Sequence, residues 1–445
     1  MSAPPALRRH LSLRDLIVYG LLFIGPLAPV GVFGVLDART GGAVALVYVL
    51  ATIAMGFTAW SYAEMSRVVP KAGSVFAYAS EGLGSSIGFL AGGLAMLDYL
   101  LIPSVAYLFS GIALHALVPA VPAWVFTVVA FAVTTLLNRA GVAVAARAGT
   151  IVLAAEVGVL VLFVICAALV LLSRGAARPV LSPFTGIGAF TLGPVVGAVS
   201  IAVLSFLGFD AIASFAEESA GDVRHIGRAI TACLVVAGVL FVVQTWLAAL
   251  LSADDPALLA REPARQGTAF YDMIRVAVGP WLASVLAVTK AVGPAFAAMT
   301  AQAAAGRLIF GMARDGRLPS ALARVDDKRG VPSTALSLAA GLTLVVSAWA
   351  ARRDDGLDVL VSIVDLGALA AFALLHAAVI GYFVAKKRAP GGLGHVLIPV
   401  AGVLTIVWVI AETSVLARTV AGVWLLAGLL ALLVSSRSRS ARTRD

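Results

Sequence analysis

A chain of 445 residues that is 61% hydrophobic and 12% charged is not an ordinary soluble protein, since soluble domains carry roughly 25% charged residues. Its net charge of +9 lies in short segments between long apolar runs, which is typical of topology determinants beside an anionic leaflet and requires no nucleic-acid partner. Cys166 and Cys233 both fall inside apolar runs, and the sequence has no P-loop, metalloprotease or hydrolase motif. The composition therefore predicts a multi-pass membrane protein that is not an enzyme and uses no disulfide, metal or cofactor.

Twelve apolar runs are long enough to cross a bilayer as helices, given about 20 residues per crossing. They lie near residues 15–38, 41–66, 85–114, 120–137, 149–173, 192–216, 227–251, 279–311, 333–351, 359–384, 395–412 and 416–435. The tails are residues 1–14 and 436–445, and the polar connections 174–191, 252–278 and 312–332 are expected to be loops or short interfacial helices. With this assignment 22 of the 32 Lys and Arg residues fall on one side and 9 on the other, while Lys290 lies within a span. The positive-inside rule then predicts a cytoplasmic-membrane protein with both termini in the cytoplasm.

Span 1 is interrupted at residues 25–29, where Gly25, Pro26 and Pro29 disfavour a continuous helix and Leu27 and Ala28 lie between the prolines. The two prolines lack amide protons, so the carbonyls of Leu22 and Gly25 are expected to be free of their helical partners. Unpaired backbone at membrane depth is tolerated only where protein or a water-filled cavity surrounds it. The interruption is either an unwound ligand site or a proline kink in a packed helix, and the paired prolines and glycines favour the ligand site.

Three charged residues occupy the interiors of other spans: Asp98 in span 3, Glu156 in span 5 and Lys290 in span 8. A charge at the bilayer centre costs roughly 2.5–3.5 kcal/mol on insertion scales, which makes each a candidate functional residue. Asp98 either contributes to the site or is a structural acid bonded to a neighbour, and Glu156 either carries a proton or is structural. Lys290 is expected to pair with Asp98, Glu156 or Asp365, or to contact the substrate directly.

A second interruption lies in span 6, where the candidate residues are Leu204, Ser205, Phe206, Gly208, Phe209 and Asp210. Gly208 weakens the helix where Ser205 and Asp210 compete for backbone hydrogen bonds, and the two phenylalanines are candidates to close over a ligand. Corresponding breaks in spans 1 and 6 are typical of an inverted-repeat transporter with its site at the bilayer midplane.

Several motifs resemble those of the amino acid/polyamine/organocation permease superfamily. The span 6–7 signature is Phe206-Leu-Gly-Phe-Asp-Ala with Glu217-Glu218 and residues 222–230, and the span 8–9 connection is residues 306–319 with Gly330-Val-Pro332. Within the superfamily, similarity to bacterial putrescine importers lies in Leu97-Asp-Tyr-Leu100, residues 366–369, residues 398–402 and Glu412-Thr-Ser414.

This resemblance implies an all-α, twelve-helix membrane protein with a LeuT-like fold. Residues 15–173 and 192–384 would be inverted five-helix repeats, followed by two appended helices over 395–435. The site would form at the breaks with contributions from spans 3, 8 and 10. Asp210 matches an acidic position used in proton coupling or gating, and Arg14, Glu217 and Glu218 are expected at a cytoplasmic gate. The chain departs from the family pattern at the span 1 prolines, at Leu204 in place of a large aromatic, and at Glu156, where amino acid members often carry Lys.

The leading hypothesis is a secondary active permease that imports a small amine, a polyamine or an amino acid with protons rather than Na⁺. Pro26 and Pro29 remove two amide donors that would hold a carboxylate, while Asp98 and Asp210 add negative charge, so an ammonium group is favoured. Lys290 favours the alternative, an amino acid permease or exchanger. A transporter-like sensor without flux is the alternative from another class, although its tails are short for an output domain.

Overall fold

A computed structural model describes residues 11–187, 191–326, 330–352 and 356–411, together with residues 419, 422, 423 and 426. Over these residues the chain is helical and contains no strand apart from an isolated bridge between Leu11 and Ser219. In the described part of the chain, eleven helical segments are long and apolar enough to cross a membrane. This confirms an all-helical, multi-pass membrane protein. The twelfth span over 416–435 and most of both tails lie outside the described residues, so the count of twelve and the repeat symmetry stay predictions.

The spans are numbered here in chain order, and spans 1 and 6 are each interrupted, span 1 into three pieces and span 6 into two. Span 1 is Leu13–Ile24, a 3₁₀ turn Ala28–Gly31 and Phe33–Thr40; span 2 is Val44–Val68; span 3 is Ser85–Leu117; span 4 is Ala123–Ala140; span 5 is Val142–Arg174; span 6 is Leu192–Leu204 followed by the 3₁₀ helix Phe209–Glu218; span 7 is Arg224–Leu251; span 8 is Pro280–Arg314; span 9 is Ser333–Ala350; span 10 is Gly356–Val379 with the π-helical turn Ile380–Ala385; and span 11 is Gly394–Ala411.

Short helices lie in the three connections that the sequence predicts to be loops or short helices, and in a fourth, before span 3, where none was predicted. They are Val75–Leu83, Ser182–Thr185, Pro256–Arg261, Pro263–Gln266, Ala269–Ala277 and Ser320–Ala323. The helix Val75–Leu83 packs closely on span 3, because a Cβ atom at Gly88 would lie 2.7 Å from the Ser80 backbone. Gly88 and Gly92, four residues apart at the start of span 3, therefore both allow close packing of this helix.

The start of span 1 is fastened to the end of span 6. Ser12 caps the first helix: the Asp15 amide donates to the Ser12 hydroxyl at 3.3 Å, and the Ser12 amide donates to the Asp15 carboxylate at 2.9 Å. Just before this cap, the Leu11 amide donates to the Glu218 carbonyl at 2.9 Å, and the Ala220 amide donates to the Leu11 carbonyl at 3.0 Å. The first helix of span 1, Leu13–Ile24, and the last helix of span 6, Phe209–Glu218, are thus joined at one end of the protein.

The broken spans also lie at the centre of the helix bundle. In the most apolar stretch of span 6, 72% of the residues are buried, and in that of span 1, 61% are buried. In the corresponding stretch of span 4, only 17% of the residues are buried. Interrupted backbone is therefore surrounded by protein rather than lipid, which is the condition for tolerating it at membrane depth.

Candidate functional site

The predicted break in span 1 is present. The first helix ends at Ile24, and Gly25 has a φ of 74°, in the region where glycine lacks the steric penalty of other residues. The Gly25 amide donates to the Leu21 carbonyl at 2.9 Å, and the Ala28 amide donates to the Gly25 carbonyl at 2.8 Å. The prediction of a free carbonyl at Gly25 is therefore wrong, because the turn after Pro26 brings an amide back to it.

Polar side chains from two other spans bind the next carbonyls of this break. Gln244 of span 7 donates from Nε2 to the Pro26 carbonyl at 3.0 Å, and Lys290 of span 8 donates from Nζ to the Leu27 carbonyl at 3.1 Å. Lys290 thus contacts the unwound backbone directly. The sequence analysis missed Gln244, although an amide side chain within an apolar span is a signal that an unpaired backbone group lies nearby.

The break in span 6 is also present, and Asp210 holds it. The helix ends at Leu204, and Gly208 has a φ of 120° immediately before the 3₁₀ helix. The Gly208 amide donates to Asp210 Oδ1 at 3.1 Å. The Ser205 hydroxyl lies 3.1 Å from the hydroxyl of Tyr48, a partner that the sequence analysis did not find. Ser205 and Asp210 therefore both hold polar groups at the break.

The two phenylalanines at this break point into separate clusters. Phe206 packs on Phe241 of span 7 with ring centroids 5.0 Å apart, and Phe209 stacks on Phe372 of span 10 at 6.1 Å. Both are fully buried. They do not form one closing pair in this structure, and Leu204 lies partly buried at the helix end before them.

A third aromatic residue, Phe23, connects the two breaks. A Cβ atom at Gly208 would lie 2.6 Å from the Phe23 ring, so the absence of a side chain at Gly208 lets span 1 approach span 6. The Phe23 ring also lies 6.4 Å from that of Tyr99 on span 3. The sequence analysis missed Phe23, and its signal is an aromatic side chain two residues before the Gly-Pro interruption.

Tyr99, rather than its neighbour Asp98, contacts the acid of span 6. Its hydroxyl donates to Asp210 Oδ2 at 2.6 Å and lies 3.4 Å from the Ser74 hydroxyl. Asp98 is 1% exposed, and its backbone packs against Gly367 of span 10. Successive helix residues project about 100° apart, which explains why adjacent side chains of span 3 have different neighbours.

A cavity of about 160 Å³ lies beside the span 1 break. Glu156 of span 5 and Lys290 of span 8 supply its charged lining, and Phe23 and Gly25 supply part of the rest. Glu156 is buried and interacts electrostatically with Lys290, which identifies it as the carboxylate expected near that lysine. A Cβ atom at Gly293 would lie 2.0 Å from Glu156 Oε1, so this glycine makes room for the carboxylate. The structure thus brings Gly25, Glu156 and Lys290 together, whereas Asp98 and Asp210 do not line this cavity, and the side chain of Asp365 lies outside the described residues.

Two broken spans at the centre of the bundle, with a cavity beside the first that is lined by a buried acid and a lysine, fit the resemblance found in the motifs. Comparison with known proteins establishes the family. Residues 16–434 match the amino acid permease family. The chain belongs to this family. It is 28% identical to the low-affinity putrescine importer PlaP of Escherichia coli K12, over 97% of this chain and 94% of that protein. It is 26% identical to the branched-chain amino acid permease BcaP of Bacillus subtilis 168, over 99% and 95% of the two chains, and 23% identical to the lysine-specific permease LysP of Lactococcus lactis MG1363, over 71% and 62%. The protein is a membrane permease and not an enzyme.

At one end of the permease, two arginines of span 8 bind the predicted gate glutamates. Glu217 accepts from Arg314 at 2.7 Å and from the Ala72 amide at 2.9 Å. Glu218 accepts two parallel hydrogen bonds from Arg307, one to each carboxylate oxygen, and the bond from Nη2 is 2.9 Å long. These four side chains are named the glutamate pairs. Arg14 is exposed and is not a partner of either glutamate in the part of the chain that the structure describes. Its role at a cytoplasmic gate stays a prediction.

At the opposite end, a buried arginine of the permease joins three segments. Arg178 donates to both oxygens of Asp37 at 2.8 and 2.9 Å and to the Ser252 hydroxyl at 3.0 Å, and it also donates to the Asp254 carbonyl. These four residues are named the Arg178 cluster. They connect the last helix of span 1, Phe33–Thr40, with the segments after spans 5 and 7. The sequence analysis missed this cluster, because Asp37 and Arg178 lie 141 residues apart and neither interrupts a span.

Proposed function

We propose that this permease is a secondary active carrier that imports a small amine or polyamine with protons, by alternating access at the two helix breaks. The observation that carries the proposal is the cavity beside the span 1 break, with ion pairs at both ends of the broken spans. Such an arrangement suits a carrier that occludes its substrate, since a channel requires a continuous path for the ion. From the distribution of Lys and Arg residues, we place the glutamate pairs and both termini on the cytoplasmic side.

The hydrogen bonds at the breaks favour an ammonium group over a carboxylate. The amides of Gly25, Ala28 and Gly208 all donate within the protein, so they are not available to hold a carboxylate. Two buried acids lie at or beside the breaks, Glu156 and Asp210, against one basic residue, Lys290. A cationic substrate offsets this excess of negative charge. PlaP, whose name describes a putrescine importer, supports the same substrate class.

Asp210 is proposed as the first coupling residue and Glu156 as the second. Asp210 is buried and holds both the Gly208 amide and the Tyr99 hydroxyl, so a change in its protonation alters the hydrogen bonds of the span 6 break itself. Glu156 lines the cavity with Lys290, whose ammonium is bound to the span 1 break. An acid whose surroundings differ between two conformations links proton binding to their equilibrium.

An amino acid is the second candidate substrate, because Lys290 lines the cavity and is able to meet a carboxylate. The names of BcaP and LysP describe amino acid permeases. Lys290 is bound to the Leu27 carbonyl and lies near Glu156, which reduces its capacity to attract a second anion. For that reason the amine remains the first choice.

Counterflow in proteoliposomes separates the two substrate classes without requiring a gradient. Vesicles loaded with unlabelled putrescine should take up labelled putrescine, and external putrescine should compete with the label better than its carboxylated relative ornithine. Empty liposomes provide the background. Clearly better competition by ornithine, or counterflow with amino acids alone, would show that the substrate is an amino acid.

A further inference from the structure

A groove of about 750 Å³ lies between the end of span 10 and the start of span 11, and it shares no lining residue with the cavity at the breaks. Span 10 ends in the π-helical turn Ile380–Ala385, a conformation that is rare and frequent at functional sites. Lys387 follows with a φ of 47°, which few residues other than glycine adopt. This backbone turns the chain sharply and leaves Lys387 and Arg388 in the lining of the groove.

Positive charge exceeds negative charge around the groove. Glu81 accepts from Lys71 at 3.2 Å and from Arg388 at 2.6 Å, and its backbone carbonyl accepts from Lys386 at 3.0 Å. Burial opposes ionisation of Glu81, but Lys71 and Arg388 outweigh it and hold the pKa of this carboxyl below its ordinary value. One carboxylate therefore faces three cations. Lys387 adds a fourth, and it makes no hydrogen bond or ion pair with any described residue.

The other end of the groove is apolar and continues along the outside of span 11. Leu393 lines the groove and is 78% exposed. Exposed apolar residues follow it at helical spacing along one face of the span: Leu397, Val400, Leu404 and Val407. Their spacing of three and four residues places them in one stripe. The groove thus connects a basic end with a surface suited to hydrocarbon.

We propose that this groove binds an anionic phospholipid, with its phosphate beside Lys387 and an acyl chain along the stripe that starts at Leu393. The basic end supplies the charge that a phosphate requires, and basic pockets between membrane helices bind anionic headgroups in this way. The exposed stripe favours a lipid over a soluble phosphate compound, because only a lipid covers both ends of the groove. The lipid would be bound independently of the transported substrate.

Native mass spectrometry of the delipidated full-length permease, titrated with phosphatidylglycerol or phosphatidylcholine, tests the proposal. Lys387→Asn removes the charge and keeps a residue that tolerates the left-handed conformation. It should weaken phosphatidylglycerol binding about fivefold, as expected for one basic residue near an anionic surface, and leave phosphatidylcholine binding unchanged. Arg352→Gln is the matched control, since Arg352 is exposed at the end of span 9 and donates to the Ala348 carbonyl of its own helix. Equal phosphatidylglycerol binding by the two variants would overturn the proposal.

A second variant distinguishes a lipid from a soluble phosphate. Leu393→Ser should weaken binding of both lipids by about threefold or more, since it removes most of an apolar contact. Inorganic phosphate should displace phosphatidylglycerol poorly from the wild-type protein. If inorganic phosphate displaces the lipid completely and Leu393→Ser has no effect, the groove is a site for a soluble phosphate compound and the lipid proposal is wrong.

Discussion

The two ends of the broken spans are both closed by arginine–carboxylate pairs, but the pairs differ in construction. In the Arg178 cluster a single guanidinium, 4% exposed, is surrounded by acceptors from three segments, and Asp37 is fully buried. The glutamate pairs use two arginines of one helix. Glu218 and Arg307 are 0% and 3% exposed, whereas Glu217 and Arg314 are 16% and 22% exposed. A buried charge that loses its partner strongly destabilises the protein, whereas a partly exposed ion pair separates at a lower cost in free energy. We therefore expect the Glu217–Arg314 pair to open more readily than the Arg178 cluster or the Glu218–Arg307 pair.

The largest effect is expected from Arg178→Met. The substitution leaves the Asp37 carboxylate buried without its guanidinium partner, and loss of one member of a buried pair costs about 3–5 kcal/mol. Detergent-solubilised protein should lose its monodisperse chromatographic peak at a much lower temperature than the wild type. Arg265→Met is the matched control, because Arg265 pairs with Asp254 at the surface with 40% of its side chain exposed. A thermal midpoint no lower than that of the control would contradict the structural role of the cluster.

A smaller effect is expected from Glu218→Gln. Arg307 keeps its bond to the Ala303 carbonyl at 2.8 Å and its position 4.1 Å from the Phe215 ring, so the loss is partial. Cys233 serves as a native reporter of opening at this end. It is buried against the first helix of span 1, Leu13–Ile24, and donates to the Ile17 carbonyl at 3.4 Å. In a Cys166→Ala background, the rate of Cys233 alkylation should rise about tenfold, as expected when a hydrogen bond to a charged group is lost.

Glu217→Gln should have the smallest effect on the same reporter, about twofold, because the Glu217–Arg314 pair is already partly hydrated. The comparison between the two glutamates requires this order. If the Glu217 variant accelerates alkylation of Cys233 as strongly as the Glu218 variant, the two ion pairs open together. Burial then does not determine how readily each pair opens.

The helix breaks were predictable because their cause is local. Proline lacks an amide proton and glycine accepts a positive φ wherever the chain places them, so residues 25–29 and Gly208 interrupt their helices as expected. The helix boundaries were less predictable. Span 5 begins at Val142 instead of residue 149, since Arg147 marks a polar surface and not the end of a helix.

The partners of the predicted site residues were not predictable, because they depend on packing between distant segments. The sequence identified Asp98 as a candidate, but its neighbour Tyr99 is the residue that contacts Asp210. Arg14 was expected at a cytoplasmic gate together with Glu217 and Glu218. The arginines that bind the two glutamates are Arg307 and Arg314 of span 8. Lys290 and Glu156 were each identified, and only the packing of spans 5 and 8 brings both to one cavity at the span 1 break.

Proton-driven uptake of labelled putrescine by wild-type and Asp210→Asn proteoliposomes tests the central claim most directly. The wild type should accumulate putrescine when an inward proton gradient is imposed and take up less without it. Asparagine keeps an acceptor for the Gly208 amide but cannot titrate, so Asp210→Asn should still show counterflow and lose the stimulation by the gradient. Undiminished gradient-driven uptake by Asp210→Asn would contradict the account.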